Sequence, residues 1–499
     1  MRPVLFAVIG LAAFAGLSSS SCTVRQPDST TYFDRTVSPV LSTSCVRGAA
    51  AGACHVADAK GNAFGNLDVA TFDGINHRRD LLANYGPYGQ PALLVKNIPP
   101  FTVDVQSFDG TKATITTDIK HAGGPILDPT ATGYQVLRRW IENGATANNS
   151  GVAPSTLTRL PCSTTIGSDP SFDPTKNQDP MTADFGQFRD QVAPVMKTNC
   201  AASNCHGTTS NELYLTCGDS PEQVRWNYFA ATEYMAQTPE QSELVRRPLA
   251  PSLGGSFHEG GAIFTSINDD SYQAILKWAT AHGPLSIANP DPNFVFFTHK
   301  VQPMLVKKGC MMLQCHSAAM FHDYRLRGGS GGSFSLSATK RNYALSIAQL
   351  SLDSDDVDAS RLVAKNLFRP GAFATGQGTS RVTHRGGALL EDFKDKNATP
   401  AICDTNPITS KPYDYDNGDL DKIPAYCVIK EWHKRERAAR NLAPMSAIVY
   451  VSRATPQGSD RAQDFETYEP NSDLHIVDAT LAKHGVVLIT ADHGNCEQM

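Results

Sequence analysis

The chain has 499 residues, 41% of them hydrophobic, which is enough for two to four domains with apolar cores of their own. Its 44 Lys and Arg against 49 Asp and Glu leave a formal charge of −5, and the basic residues are dispersed, so no nucleic-acid partner is expected. Beyond the first residues no stretch is long and apolar enough to span a bilayer.

The N-terminus reads Met1-Arg2, an apolar run from Val4 to Leu17, then Ser18 to Ser21 and Cys22. A basic start, an apolar core shorter than a membrane span and small residues after it predict an export signal over residues 1–22. A cysteine directly after the small residues resembles a bacterial lipoprotein cleavage site, although Ser19 stands where such sites usually carry Leu. That resemblance implies lipidation of Cys22, with plain cleavage and secretion as the alternative.

Residues 30–147 form a first module. It opens on Phe33-x3-Val37-x-Pro39 and carries Cys45 and, after an eight-residue spacer, Cys54-His55. Leu93-Leu94-Val95-Lys96-Asn97 and His121-Ala122-Gly123-Gly124 follow. The last stretch, 133–144, places Val136/Leu137, Trp140 and Ile141 on one helical face, with Gly144 as a stop signal. Tyr134 and Trp140 lie less than two turns apart, on roughly adjacent faces, suited to packing on a flat ligand or a neighbouring helix.

A linker rich in Ser, Thr, Pro and Asp, about 148–180, leads to a second module, 178–284. It repeats the order: Phe188-x3-Val192-x-Pro194, Cys200 with Cys205-His206 after four residues, Leu244-Val245-Arg246-Arg247-Pro248, His258-Glu259-Gly260-Gly261, and Tyr272-x5-Trp278. Phe188, Val192 and Val195/Met196 fit one helical face, and Pro194 predicts a kink or a fresh helix start before the cysteines. The third module, 291–440, follows almost without a linker. Its features are Phe297-x3-Val301-x-Pro303, Cys310 with Cys315-His316, Leu362-Val363-Ala364-Lys365-Asn366, His384-Arg385-Gly386-Gly387 and Tyr426-x5-Trp432. Gly328 to Gly332 reads as a flexible loop, and about 391–421 as a surface loop. Five features in one order, three times, make the chain an array of homologous modules.

The three Cys…Cys-His signatures carry the chemistry. This order is the attachment signature of c-type haem: two thiols bond the vinyl groups of one porphyrin edge and the adjacent imidazole becomes the proximal iron ligand. Cys45, Cys54, His55, Cys200, Cys205, His206, Cys310, Cys315 and His316 are therefore the candidate haem-binding residues, with His55, His206 and His316 beneath the iron. His121, His258 and His384 recur at one place in the module, each before two glycines that let backbone approach closely, and are the candidate distal ligands. The methionines have no common module position. Two imidazoles close the iron to substrate and lower its potential, which favours an electron-transfer protein over an enzyme.

With these motifs the chain resembles the bacterial multihaem c-type cytochromes over nearly all of residues 32–440. Four-residue spacers are familiar in that family, where two is the usual number and eight is unusual. The resemblance implies a mainly α fold of three tandem cytochrome c-like helical modules with long loops. It implies three haem c groups, module one the least secure, and a redox partner protein or extracellular electron acceptor. The site would be a periplasmic, outer-membrane or cell-surface lipoprotein held to the membrane by its lipid anchor. Two other classes stay open: a haem-dependent oxidoreductase or peroxidase with one open iron site, for which module one is the candidate, and a non-redox lipoprotein with zinc- or disulfide-stapled modules.

The chain has 12 cysteines, which suits an oxidising compartment. With six in the signatures and Cys22 set aside, Cys162 with Cys217 and Cys403 with Cys427 are disulfide candidates by elimination and by neighbourhood. Cys496 is left over. It lies in a short α/β-like tail, 441–499, that is not expected to be an independent domain. In the tail, Val477 to Leu481 and Val486 to Asn495 resemble a fragment of the cofactor-independent phosphoglycerate mutases, in which the Asp and His matching Asp492 and His493 bind metal. The family's other ligands are missing, and a lone Asp-His pair cannot assemble a two-metal site.

Overall fold

The computed structural model describes residues 31–46, 54–121, 123–169, 172, 182–283, 287–320, 323–367, 384, 389–390 and 403–440. Cys22 and the rest of the segment expected to be an export signal lie outside the described residues, as does the tail with Asp492, His493 and Cys496. The described residues are helix-rich, 41% helical and 6% strand, so the mainly α expectation holds at the level of class.

Each Phe-x3-Val-x-Pro block forms the same element. A helix runs through it, but Phe33–Val37, Phe188–Val192 and Phe297–Val301 are wound as a single π turn. The residue after each turn, Ser38, Ala193 or Gln302, donates its N–H to the carbonyl of the block's Phe, five residues back. The following Pro39, Pro194 and Pro303 have no N–H to give, and their rings crowd the carbonyl four residues behind. Widening the preceding turn absorbs this clash, so the chain goes on as α-helix to the cysteines (Ser38–Cys45, Ala193–Asn199, Gln302–Lys307). The kink or fresh start expected at Pro194 is thus a π turn within a continuing helix.

The closing helices, Thr132–Glu142, Asp270–His282 and Ala425–Ala439, pack back on these leading helices. Trp140, Trp278 and Trp432 are fully buried and meet Phe33, Phe188 and Phe297 at ring-centre distances of 5.6, 4.9 and 5.3 Å. Each tryptophan thus packs on the neighbouring leading helix. Each module also ties its start to its end. Phe33 N–H donates to Ala147 O at 2.8 Å, Asp184 accepts from His282 Nδ1 at 2.8 Å, and Asn293 Nδ2 donates to Arg435 O at 3.1 Å.

The modules are not beads on a string. Modules one and three share one continuous hydrophobic core, whereas module two has its own. A hairpin in module one, β1 (Thr102–Gln106) and β2 (Lys112–Thr116), pairs antiparallel with Val103 opposite Ile115 and Val105 opposite Ala113. The edge of β1 receives the glycine-rich stretch of module three. Gln106 N–H donates to Gly332 O, and Phe334 N–H to Gln106 O, both at 2.8 Å. A Cβ on Gly332 would stand 2.5 Å from Asp104 O, so these glycines serve a close backbone approach and not the flexible loop expected from sequence. Modules two and three meet through buried charges: Glu233 pairs with Arg327 and Arg341, and Arg341 also with Asp169.

The segment expected to be a linker is laid against module two. Ser155 N–H donates to Ala262 O at 2.9 Å, and Ala262 N–H to Ala153 O at 3.1 Å. The Cys162–Cys217 disulfide fastens this segment, and Cys403–Cys427 fastens the long loop of module three to its closing helix.

Candidate functional site

The leading helix of each module delivers its first cysteine, and a tight loop delivers the Cys-His pair. In modules two and three, His206 N–H donates to Cys200 O at 3.0 Å and His316 N–H to Cys310 O at 2.9 Å. This bond closes the four-residue spacer and turns the second thiol back toward the first. The spacer of module one, 47–53, lies outside the described residues. All six signature cysteines are thiols. Burial pushes Cys45 up to about 11 and Cys200 and Cys310 up to about 12; the paired cysteine adds to the rise in each case, and at Cys200 the Arg159 charge opposes it.

The chain then carries each imidazole to a partner from far along the sequence. His55 faces His121, His206 faces His258, and His316 faces His384. The ring centres are 6.1, 6.0 and 6.1 Å apart, and the ring planes are parallel within 6°, 8° and 8°. The three histidines of the His-x-Gly-Gly blocks thus converge on the three Cys-His histidines, one pair per module. Module one shares this pairing, so its long spacer does not leave His55 without an opposite imidazole. All six histidines are half-buried.

One ring nitrogen of five of the six imidazoles is fixed by the backbone. His55 Nδ1 donates to Phe64 O at 2.9 Å, His206 Nδ1 to Leu213 O at 3.0 Å and His316 Nδ1 to Tyr324 O at 3.1 Å. On the opposite side His121 Nδ1 donates to Gly124 O at 3.0 Å and His258 Nδ1 to Gly261 O at 2.8 Å. A carbonyl can only accept, so it selects the tautomer with the proton on Nδ1 and leaves the Nε2 lone pair for a metal. Burial is the largest influence on His55, His206 and His258 and lowers all three, His206 down to about 4. The neutral form that ligation needs is therefore the resting form.

The glycines of His-x-Gly-Gly have distinct roles. A Cβ on Gly123 or Gly260 would stand 3.2 Å from Cε1 of the adjacent histidine ring, so the first glycine gives the imidazole room. Gly124 and Gly261 have φ of 70° and 84°, a left-handed backbone that L side chains rarely adopt. That conformation closes the turn (Gly124 N–H to His121 O, 2.9 Å; Gly261 N–H to His258 O, 3.0 Å) and aims the glycine's own carbonyl at the ring. The sequence reading missed the carbonyl acceptors at Phe64, Leu213 and Tyr324. It also missed Arg78, which pairs with Asp80 and holds the Phe64 loop by donating to Gly65 O at 2.7 Å. A backbone carbonyl leaves no mark in the sequence.

Among the described residues no group of three or more His, Cys, Asp or Glu side chains converges as metal ligands; the recurring constellation is two imidazoles beside two thiols. In comparisons with known protein families, curated proteins and solved structures, the chain matches none.

Proposed function

We propose that the protein is an exported, lipid-anchored c-type cytochrome that holds three haems, one per module, and relays electrons to a redox partner protein or extracellular acceptor. The observation that carries this reading is the threefold imidazole pair. A metal between two imidazoles, with bonds of about 2.0–2.1 Å and about 1.1 Å from each nitrogen to its ring centre, sets the centres about 6.2–6.4 Å apart. The observed 6.0–6.1 Å comes close to that spacing. Two protein ligands suit an iron whose other four come from a porphyrin, and two thiols beside one imidazole suit covalent attachment of its edge. A structural zinc site takes four ligands gathered round one point, and among the described residues no three His, Cys, Asp or Glu side chains gather so.

In this reading Cys45, Cys54, Cys200, Cys205, Cys310 and Cys315 hold the porphyrin. His55, His206 and His316 are proximal, and His121, His258 and His384 distal. When bound, haem supplies an iron that alternates between ferric and ferrous. Closing both axial positions in every module favours electron relay over substrate chemistry. The Cys162–Cys217 and Cys403–Cys427 disulfides agree with export to an oxidising compartment, and the anchor rests on Cys22. The test is the visible spectrum of the purified protein, oxidised and reduced. The expected result is a low-spin c-type haem spectrum unchanged by carbon monoxide; a colourless protein overturns the reading.

A further inference from the structure

The stretch from Arg78 to Asn84 in module one supplies no residue to the imidazole pairs, yet it touches the surroundings of all three. Arg78 donates to Gly65 O at 2.7 Å, in the loop that borders the proximal imidazole of its own module: a Cβ on Gly65 would lie 3.9 Å from His55 Cε1. The same buried guanidinium reaches module three. An arginine can only donate, so the Gln314 amide presents its oxygen, 2.9 Å from Arg78 Nη1, and Gln314 is the residue before Cys315-His316. Arg79 turns to module two. Its guanidinium lies over the Phe257 ring at 4.8 Å, and Phe257, the residue before His258, is buried in the core that modules one and three share. Asn84 completes the set: its Nδ2 donates at 2.8 Å to Glu212, the neighbour of the Leu213 whose carbonyl holds His206.

A second contact joins modules one and three beside the other thiol. Asp118 N–H donates to Lys307 O at 2.7 Å, and Lys308 pairs with Asp118 at 2.8 Å. Ile119, two residues before His121, lies against Gly309, the residue before Cys310: a Cβ on Gly309 would stand 3.3 Å from Ile119 Cγ1. Both signature cysteines of module three thus follow a residue in contact with module one, Cys310 beside its distal segment and Cys315 beside its proximal loop. Modules two and three also meet, but the module-two side of that junction, Glu233 to Glu243, belongs to neither its Cys-His loop nor its His-x-Gly-Gly block. Resting on the cytochrome reading above, we propose that the haem of module one stands between the other two, and that electrons pass between modules two and three by way of module one, against the order of the sequence. Each hop takes one electron from a ferrous iron and gives it to the neighbouring ferric iron, with no bond made or broken. Electron tunnelling falls steeply with the gap, so the two short gaps carry the traffic.

The test is the electron-spin relaxation of the low-spin ferric haems in wild type, His121→Ala, His258→Ala and His384→Ala, with haem content read by intact mass. Each variant turns one haem high-spin, and that fast-relaxing iron speeds the relaxation of nearby haems through a magnetic coupling that dies away steeply with distance. With the haem of module one high-spin, both remaining low-spin signals are expected to relax faster than in wild type. With the haem of module two or three high-spin, only one of the two is expected to do so. A variant that sheds its haem tests the same order, since the pairs one–two and one–three are expected to stay coupled and the pair two–three not. His121→Ala that speeds one signal or none overturns the proposal, as does His258→Ala or His384→Ala that speeds both equally. A wild-type protein without haem overturns the cytochrome reading itself, a separate outcome.

Discussion

His258 shows how much one residue depends on its neighbours. Its ring stands opposite His206, its Nδ1 proton is held by Gly261 O at 2.8 Å, and Gly260 leaves it room. Replacing His258 with Ala removes the distal ligand of module two and leaves the proximal side intact. One haem is expected to become high-spin and able to bind carbon monoxide, while the other two stay low-spin. A His258→Ala protein that remains wholly low-spin contradicts the assignment, and the buried Met235 is then the first substitute to test. The six histidines were legible in the sequence because side-chain chemistry recurs at fixed places. Their orientation was not, because the carbonyls of Phe64, Leu213, Tyr324, Gly124 and Gly261 that fix it are common to every residue type.

At the scale of elements, the leading and closing helices were legible from apolar spacing, and their contact was half legible. The recurrence of Phe and Trp marks both as core, but only the fold shows Phe188 against Trp278 at 4.9 Å. Proline foretold a disturbance and not its form, since a lost N–H can be met by a kink, a new start or a π turn. The β1–β2 hairpin went unread although its signals were present: Thr102 to Gln106 alternates, and Asp109-Gly110 is a turn pair. Trp278→Ala empties the centre of module two and is expected to cost about 3–5 kcal/mol, read as a lower urea midpoint. An unchanged midpoint would show that the Phe–Trp contact does not close the module.

Module two adds an acid-sensitive lock between its two ends. Asp184 is buried and accepts bonds from His282, Tyr228 and Trp278 at 2.8, 3.0 and 3.1 Å. Burial alone pushes its carboxyl up, but the bond and charge of His282, with the Tyr228 and Thr182 hydroxyls, outweigh it and bring it down to about 2. A carboxylate depressed on folding stabilises the native state above its ordinary value of about 3.9 and loses that contribution as pH falls toward the folded value. Wild type is therefore expected to lose stability between about pH 4 and pH 2 that Asp184→Asn never has. Parallel urea midpoints for the two proteins across that window would refute the lock.

On the scale of the whole molecule, the sequence order suggested three modules in a row, and the fold packs them against one another. That arrangement was illegible because the contacts join residues far apart: Tyr88 donates to Val306 O at 2.8 Å, Lys308 pairs with Asp118 at 2.8 Å, and Glu233 with Arg327 and Arg341. Glu233→Gln takes the paired carboxylate from buried Arg327 and leaves Arg341 with Asp169 alone, and is expected to cost about 3–5 kcal/mol, measured by denaturant unfolding. A stability equal to wild type would mean that this junction holds nothing together.

The central claim is three imidazole pairs that each hold one covalent haem, and intact mass spectrometry of the denatured, reduced protein tests it most directly. Three haem additions are predicted. Two additions would mean that the eight-residue spacer between Cys45 and Cys54 is not used, and none would contradict the account.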